Sequence, residues 1–232
     1  MKIGAVAVAF HTERFSKVFI ESFLEYYPGI PLVIVDNNIK GEPETDYLQD
    51  ICKRRFITYL YGDPHEKEHG AGLDVGYEYF KAKKFDVILT LDIDTVIIGF
   101  GLIDEIKKAL HDGYLIGGRY AASVDKGPVY VHPSCAYYCI SLLKQLGISF
   151  LKVNRGAENR FYDTAEKIFE QIGVPGYNLH EVKYLLHFGA GSAIYDGKFH
   201  CKTCNSWWSK TKYRKRLEWF FNRPDVKEYL ER

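Results

Sequence analysis

Strong charge of one sign is absent: 31 Lys and Arg face 30 Asp and Glu, leaving +1 over 232 residues. No overall field therefore draws the protein onto nucleic acid or anionic lipid, and any such partner must use a local patch. Long apolar runs are absent too, and nothing approaches the length of a membrane span. Ile3 to Phe10, after Met1-Lys2, superficially looks like a signal peptide. The run is short, gives way to His11-Thr12-Glu13-Arg14 and lacks a small-residue cleavage site. It reads as a buried first strand, with the cytoplasm as default location. Cysteines number five, an odd count that does not suggest a secreted disulfide framework. Cys201 and Cys204 form one C-x-x-C beside His200. Free buried thiols are the expectation, with a zinc site that adds Cys135 and Cys139, or a local disulfide, as alternatives.

Glycine is missing where a dinucleotide-binding loop requires it. The first strand runs into Ala9-Phe10-His11-Thr12, and Gly70, Gly72 and Gly76 come too late and misspaced for G-x-G-x-x-G. The same junction lacks the glycine-rich, basic triphosphate loop expected of a nucleotidyltransferase. Internal repeats and low-complexity linkers are also absent.

What remains is ordinary globular composition, 47% apolar and 26% charged, in a chain long enough for one well-buried domain. The 36 aromatic residues (18 Tyr, 15 Phe, 3 Trp) mildly favour carbohydrate, since sugar clefts use such rings, although cores do as well. Strands and helices alternate through the first half. Ile3 to Phe10, Pro31 to Val35, Ile57 to Tyr61 and Val87 to Leu91 are apolar runs of strand length. Helical spacing appears at Phe15 to Tyr26, about Tyr47 to Arg54, from Gly70 through Phe80, and about Leu102 to His111. A further strand is predicted at Tyr114 to Gly118. The alternation implies βαβ units and a parallel sheet with right-handed crossovers. The second half is less regular: Ser134 to Leu146 reads as partly helical, and Phe161 to Ile172 as an amphipathic helix.

Asp92-Ile93-Asp94 follows the most apolar strand. Residues two apart on a strand share a face, so both carboxylates point one way while Ile93 packs. Ligands of open parallel sheets sit beyond the carboxyl ends of the strands, where this pair falls. Adjacent acids repel unless protonated or bridged by a cation, and Mg2+ or Mn2+ suits hard oxygen ligands that also meet substrate phosphates. The alternative is that both acids merely end a strand and cap a turn.

The segment Val87 to Asp94, VILTLDID, resembles the metal-binding D-x-D segment of GT-A-fold glycosyltransferases, especially family-two enzymes. The likeness runs from Lys2 to about Ala193 with elements in the same order. It implies an α/β fold, a Rossmann-like and mostly parallel sheet flanked by helices, with a less regular acceptor-side half. A nucleotide-sugar half of about 1–118 and an acceptor half of about 119–196 would form the catalytic domain. Donor contacts are implied for Ala9, Phe10 and His11 after the first strand and for Asp36 after the second. Gly70, Asp74 (where the family usually has Asn) and Asp92 complete that set. His187, in His187-Phe-Gly-Ala-Gly-Ser192, would join Asp92 and Asp94 around Mn2+ or Mg2+. The family's catalytic base, an Asp or Glu near a helix start, maps to Asp163, with Glu158 as the alternative. An inverting transfer follows from the resemblance alone. Local readings stay open beside these: Asp36 as an Asx turn with Asn37 and Asn38, His187 as a core histidine, and Asp163-Thr-Ala-Glu166 as a helix cap.

The expected partners are a nucleotide-sugar donor and a glycan, lipid-linked or protein acceptor, with no nucleic acid. Residues 197–232 form a basic aromatic extension, expected to be helical and packed on the same domain. Lys210, Lys212, Arg214, Lys215, Arg216 and Arg223 lie among Trp207, Trp208, Tyr213, Trp219, Phe220 and Phe221. It reads either as a docked helix with solvated lysines or as a peripheral membrane contact. A catalytically silent carbohydrate- or partner-binding domain of the same fold is the non-enzyme alternative.

Overall fold

The computed structural model describes residues 1–10, 12–38, 40–62, 69–122, 129–147, 149–150, 168, 171–172, 176–188, 194–195, 198–199 and 210–232. Strand β1 (Ile3–Ala9) is buried at all seven positions, which requires packed layers on both faces of the sheet. Alternation sorts its side chains. Ala5, Ala7 and Ala9 face a cluster that holds Phe19, Ile20 and Phe23 of α1 (Glu13–Tyr26) and Leu48, Ile51 and Cys52 of α2 (Pro43–Arg54). Val6 and Val8 face the other layer, with Leu73, Tyr77 and Phe80 of α3 (His69–Ala82). Helix α3 rides close on β1, because Cβ atoms at Gly72 or Gly76 would overlap Val8 or Val6.

Strands β2 (Leu32–Asp36), β3 (Thr58–Tyr61) and β4 (Val87–Asp92) run parallel to β1, giving the order β3-β2-β1-β4. Beyond β4 the chain makes a short strand β5 (Thr95–Ile97), helix α4 (Leu102–His111) and β6 (Ile116–Ala122). It then returns as β7 (Val129–Cys139), antiparallel to both β4 and β6. A two-residue β8 (Tyr177–Asn178) adds to β6 and completes the seven-stranded order β3-β2-β1-β4-β7-β6-β8, in which β7 alone opposes the rest. The fold is therefore α/β, with a mostly parallel sheet flanked by helices.

Two sequence expectations take definite bounds here. The stretch Ser134 to Leu146, read as partly helical, is helical over Ile140–Leu146 (α5, stopped at Gly147 with φ +61°), while its first part, Ser134 to Cys139, belongs to β7. The reason is tertiary: β4 is buried along Val87–Leu91 and needs a partner, and Cys135 to Cys139 supplies one with Leu91↔Cys135 and Val87↔Cys139 in register. The strand expected at Tyr114 to Gly118 runs instead from Ile116 to Ala122. Of the helix expected at Phe161 to Ile172, the described residues are Ile168, helical and buried, and helical 171–172.

Strand β9 (Leu185–His187) pairs antiparallel with β5, and strands β10 (Ile194–Tyr195) and β11 (Lys198–Phe199) pair with each other. Helices α6 (Lys210–Phe221) and α7 (Pro224–Glu231) close the chain. Phe220, Phe221, Val226 and Tyr229 bury themselves against Phe15 and Val18 of α1, Val96 of β5, and Phe188. Among the described residues no helix is long and apolar enough to cross a membrane.

Candidate metal centre

Asp92 is the last residue of β4, at the carboxyl end of the sheet beside Val8 of β1. Ile93 points into the core, 4% exposed, and Asp94 turns back to Asp92's side. The β5–β9 pairing brings in the third group: Thr95 lies opposite His187, and the Phe188 amide donates to the Asp94 carbonyl at 2.9 Å. His187 Nε2 stands 2.9 Å from Asp94 Oδ1 and 3.1 Å from Asp92 Oδ2. One ligand atom from each of the three residues fits within a 4.8 Å span. Two carboxylates and one imidazole suit a hard or borderline divalent cation such as Mn2+ or Mg2+.

Electrostatics hold the cluster charged. Burial pushes the Asp92 carboxyl up, but the His187 hydrogen bond and the nearby His69, His187 and His132 rings overcome it and hold it well below the usual carboxylate range. Burial disfavours the His187 cation, yet Asp94 and Asp92 outweigh it and push the ring up to about 10. Its other nitrogen meets the opposite demand. Arg119 Nη1 lies 3.0 Å from His187 Nδ1. A guanidinium only donates, so this contact exists only with a bare Nδ1 and therefore with a neutral ring whose proton sits on Nε2. The acids favour the charged ring and Arg119 the neutral one, so the two nitrogens of His187 face opposite demands.

Two histidines that sequence reasoning missed stand at the same place. His69 opens α3, with Nε2 3.6 Å from Asp92 Oδ1. His132 lies across the β6–β7 ladder from Arg119, where the register shifts between Gly118 and Arg119. Pro133 sits in that irregularity, as a proline within a sheet must, and His132 Nδ1 accepts the Ser134 amide at 3.1 Å. Only the adjacency of His69 to Gly70 could have signalled the first; nothing in the local pattern signalled the second.

Ala9 and Asp36 are register partners at the same sheet edge. Asp36 is fully buried, accepting the Asn38 amide on Oδ1 and the Tyr59 hydroxyl on Oδ2, both at 2.8 Å. Phe10 follows at a bend, half-buried, and Gly70 is buried in the first turn of α3. Asp74 does not join them. It lies two residues from both Gly72 and Gly76, which puts it on the far side of α3 from β1. There it accepts the Ser149 hydroxyl and the Phe150 amide. His11, Glu158 and Asp163 lie outside the described residues, as do His200, Cys201 and Cys204. Cys135 and Cys139 are buried free thiols on one strand. Four residues along a strand span about 13 Å, too far for both to ligate one ion.

No protein-family model matches the chain, and no curated protein sequence matches it. Solved structures do. Residues 1–349 of S. aureus TarS in complex with UDP align with TM-score 0.55 at 14% identity, covering 96% of this chain and 71% of that one. Mannosyltransferase PcManGT from Pyrobaculum calidifontis, in complex with GDP-Man and Mn2+, aligns at 0.50 and 13% identity over 65% of this chain and 47% of its own. The fold is of the GT-A type. A 4-diphosphocytidyl-2C-methyl-D-erythritol synthase shares it, with TM-score 0.51, 11% identity and coverage of 77% and 89%. This chain spans less than half of the mannosyltransferase chain and 43% of another TarS structure. Within the GT-A frame, Asp92 and Asp94 stand at the carboxyl end of the strand beside β1.

Proposed function

We propose that the chain is a divalent-metal-dependent glycosyltransferase, moving a sugar from a nucleoside-diphosphate donor to an acceptor hydroxyl. One observation carries this reading: Asp92, Asp94 and His187, from β4, the turn after it and β9, converge at the carboxyl end of a GT-A-type sheet. A bound Mn2+ or Mg2+ would neutralise the departing diphosphate there. Asp94 is almost wholly buried, which suits a ligand held by the fold, while Asp92 and His187 keep about a fifth of their side chains open towards substrate. Ala9, Phe10, His11, Asp36 and Gly70 line the donor side in this proposal. For Asp36, contact with a nucleoside uses lone pairs beyond those already given to Asn38 and Tyr59.

Asp163 deprotonates the acceptor hydroxyl in an inverting displacement, with Glu158 as the alternative base. Residues 1–196 make the catalytic domain. Residues 197–232 are an extension that brings a basic face to a membrane surface when the acceptor is lipid-linked; glycan and protein acceptors are the other classes. The cytoplasm is the proposed location. The glycine-free junction at residues 9–12 favours sugar transfer over nucleotidyl transfer.

A thermal-shift panel of nucleoside diphosphates and their sugars, with and without Mn2+, tests the proposal. The expected result is a rise in melting temperature with one base that needs Mn2+; at a hundredfold excess over Kd the stabilisation is about 2.7 kcal/mol. Stabilisation by nucleoside triphosphates alone, with no response to any diphosphate sugar, would favour nucleotidyl transfer and overturn the reading.

A further inference from the structure

We infer that Arg119 is a positioning residue which occupies the outer nitrogen of His187 and must leave it before a cation binds, so that it sets metal affinity and then serves the diphosphate. The inference rests on the proposed metal centre. His187 presents Nε2 to both aspartates and Nδ1 to Arg119 Nη1 at 3.0 Å. A cation held by Asp92, Asp94 and His187 takes the Nε2 lone pair, and the one proton of a neutral imidazole then sits on Nδ1. That N–H would point at a guanidinium that has five donors and no acceptor. Metal-bound histidines instead give this hydrogen to a carboxylate, carbonyl or water. The Arg119 contact and metal ligation are therefore mutually exclusive.

Arg119 has somewhere to go. Its side chain is 45% exposed, and among the described residues its acid partner, Glu181, stands a loose 3.8 Å from Nε. The register shift at Gly118/Arg119 aims it at the mouth of the cluster, across from His132. Once off His187, it is a cation beside the place where a metal-held diphosphate would lie, and a guanidinium fork matches phosphate oxygens bidentately. Removing the guanidinium should thus help the metal and harm the nucleotide, opposite signs that a merely structural residue would not produce.

The test is direct Mn2+ binding to the full chain, read by the electron paramagnetic resonance of free Mn2+, in wild type, Arg119→Gln and Arg119→Lys. Glutamine can accept the Nδ1 hydrogen; lysine, like arginine, cannot. Without nucleotide, Arg119→Gln should bind Mn2+ about tenfold more tightly than wild type, the scale on which such outer partners act. Arg119→Lys should stay near wild type. At saturating Mn2+, UDP or GDP, whichever binds wild type, should bind Arg119→Gln about tenfold more weakly, a coupling of ordinary size. Equal Mn2+ affinity in wild type and the glutamine variant, with melting temperatures matched, overturns the role of Arg119 and leaves the metal centre standing. Absence of Mn2+ binding in all three proteins removes the metal centre itself, and this inference with it.

Discussion

Phe220→Ala probes the link between the C-terminal helices and the metal centre. Phe220 is fully buried, its ring centroid 5.6 Å from Phe15, 5.4 Å from Phe188 and 5.3 Å from Phe221. Truncating such a phenylalanine costs about 3–5 kcal/mol, from lost transfer energy and the cavity left behind. In a chain of this size each kcal/mol moves the melting temperature by about 2–4 °C, so a fall of roughly 6–20 °C is expected. The effect should also reach the site. Phe188 follows His187 directly and its amide holds the Asp94 carbonyl, so a looser Phe188 relaxes two of the three ligands. Urea unfolding should show a lower midpoint with unchanged slope, and Mn2+ affinity should fall several-fold. Trp219→Ala on the same helix is the control: that ring is half exposed, and its loss should cost below about 1 kcal/mol. If Phe220→Ala cost no more than Trp219→Ala, helix α6 would not be seated in that cluster and the reasoning would fail.

Glu105 offers a pH-dependent prediction. Its carboxylate, 11% exposed, accepts the Tyr184 hydroxyl at 2.7 Å, His180 Nδ1 at 2.9 Å and the His180 amide at 3.2 Å. Burial pushes its pKa up, but these hydrogen bonds outweigh burial and bring it below the ordinary 4.5. A depressed folded pKa gives stability that is present above 4.5 and lost as pH falls through the folded value. Glu105→Gln should therefore cost about 1–3 kcal/mol at pH 7, and the gap should narrow in melts below about pH 4.5; a constant gap would refute the charge-based account. Asp163→Asn should spare Mn2+-dependent nucleotide-sugar binding while lowering turnover by about a hundredfold or more. Full turnover in that variant would transfer the base role, with Glu158→Gln as the next test.

The parallel half of the fold was legible because β1, β2 and nearly all of β4 are buried on both faces and read as largely apolar runs, with the half-buried β3 at the edge, while α1, α2 and α3 carry one apolar stripe each. Strand β7 was not, since an apolar stretch such as Ser134 to Cys139 is ambiguous until β4 demands an edge partner. The three-residue strands β5 and β9 are too short for any period to show, yet their pairing carries His187 to Asp94. The aspartate pair was legible from its place after a five-residue strand in which only Thr90 is polar. His69 and His132 were not, because a lone histidine has no spacing to reveal it. Asp74 shows the converse: it occupies a motif position, but the two glycines that seat α3 on β1 turn it to the other side of the helix.

The most direct test of the central claim is release of nucleoside diphosphate from nucleotide sugars by wild type and Asp94→Asn, with and without Mn2+. Wild type should release it only with Mn2+ and one donor base. The variant, with a buried ligand charge removed, should lose at least about a hundredfold in rate. Equal, metal-independent release by both proteins would contradict the account.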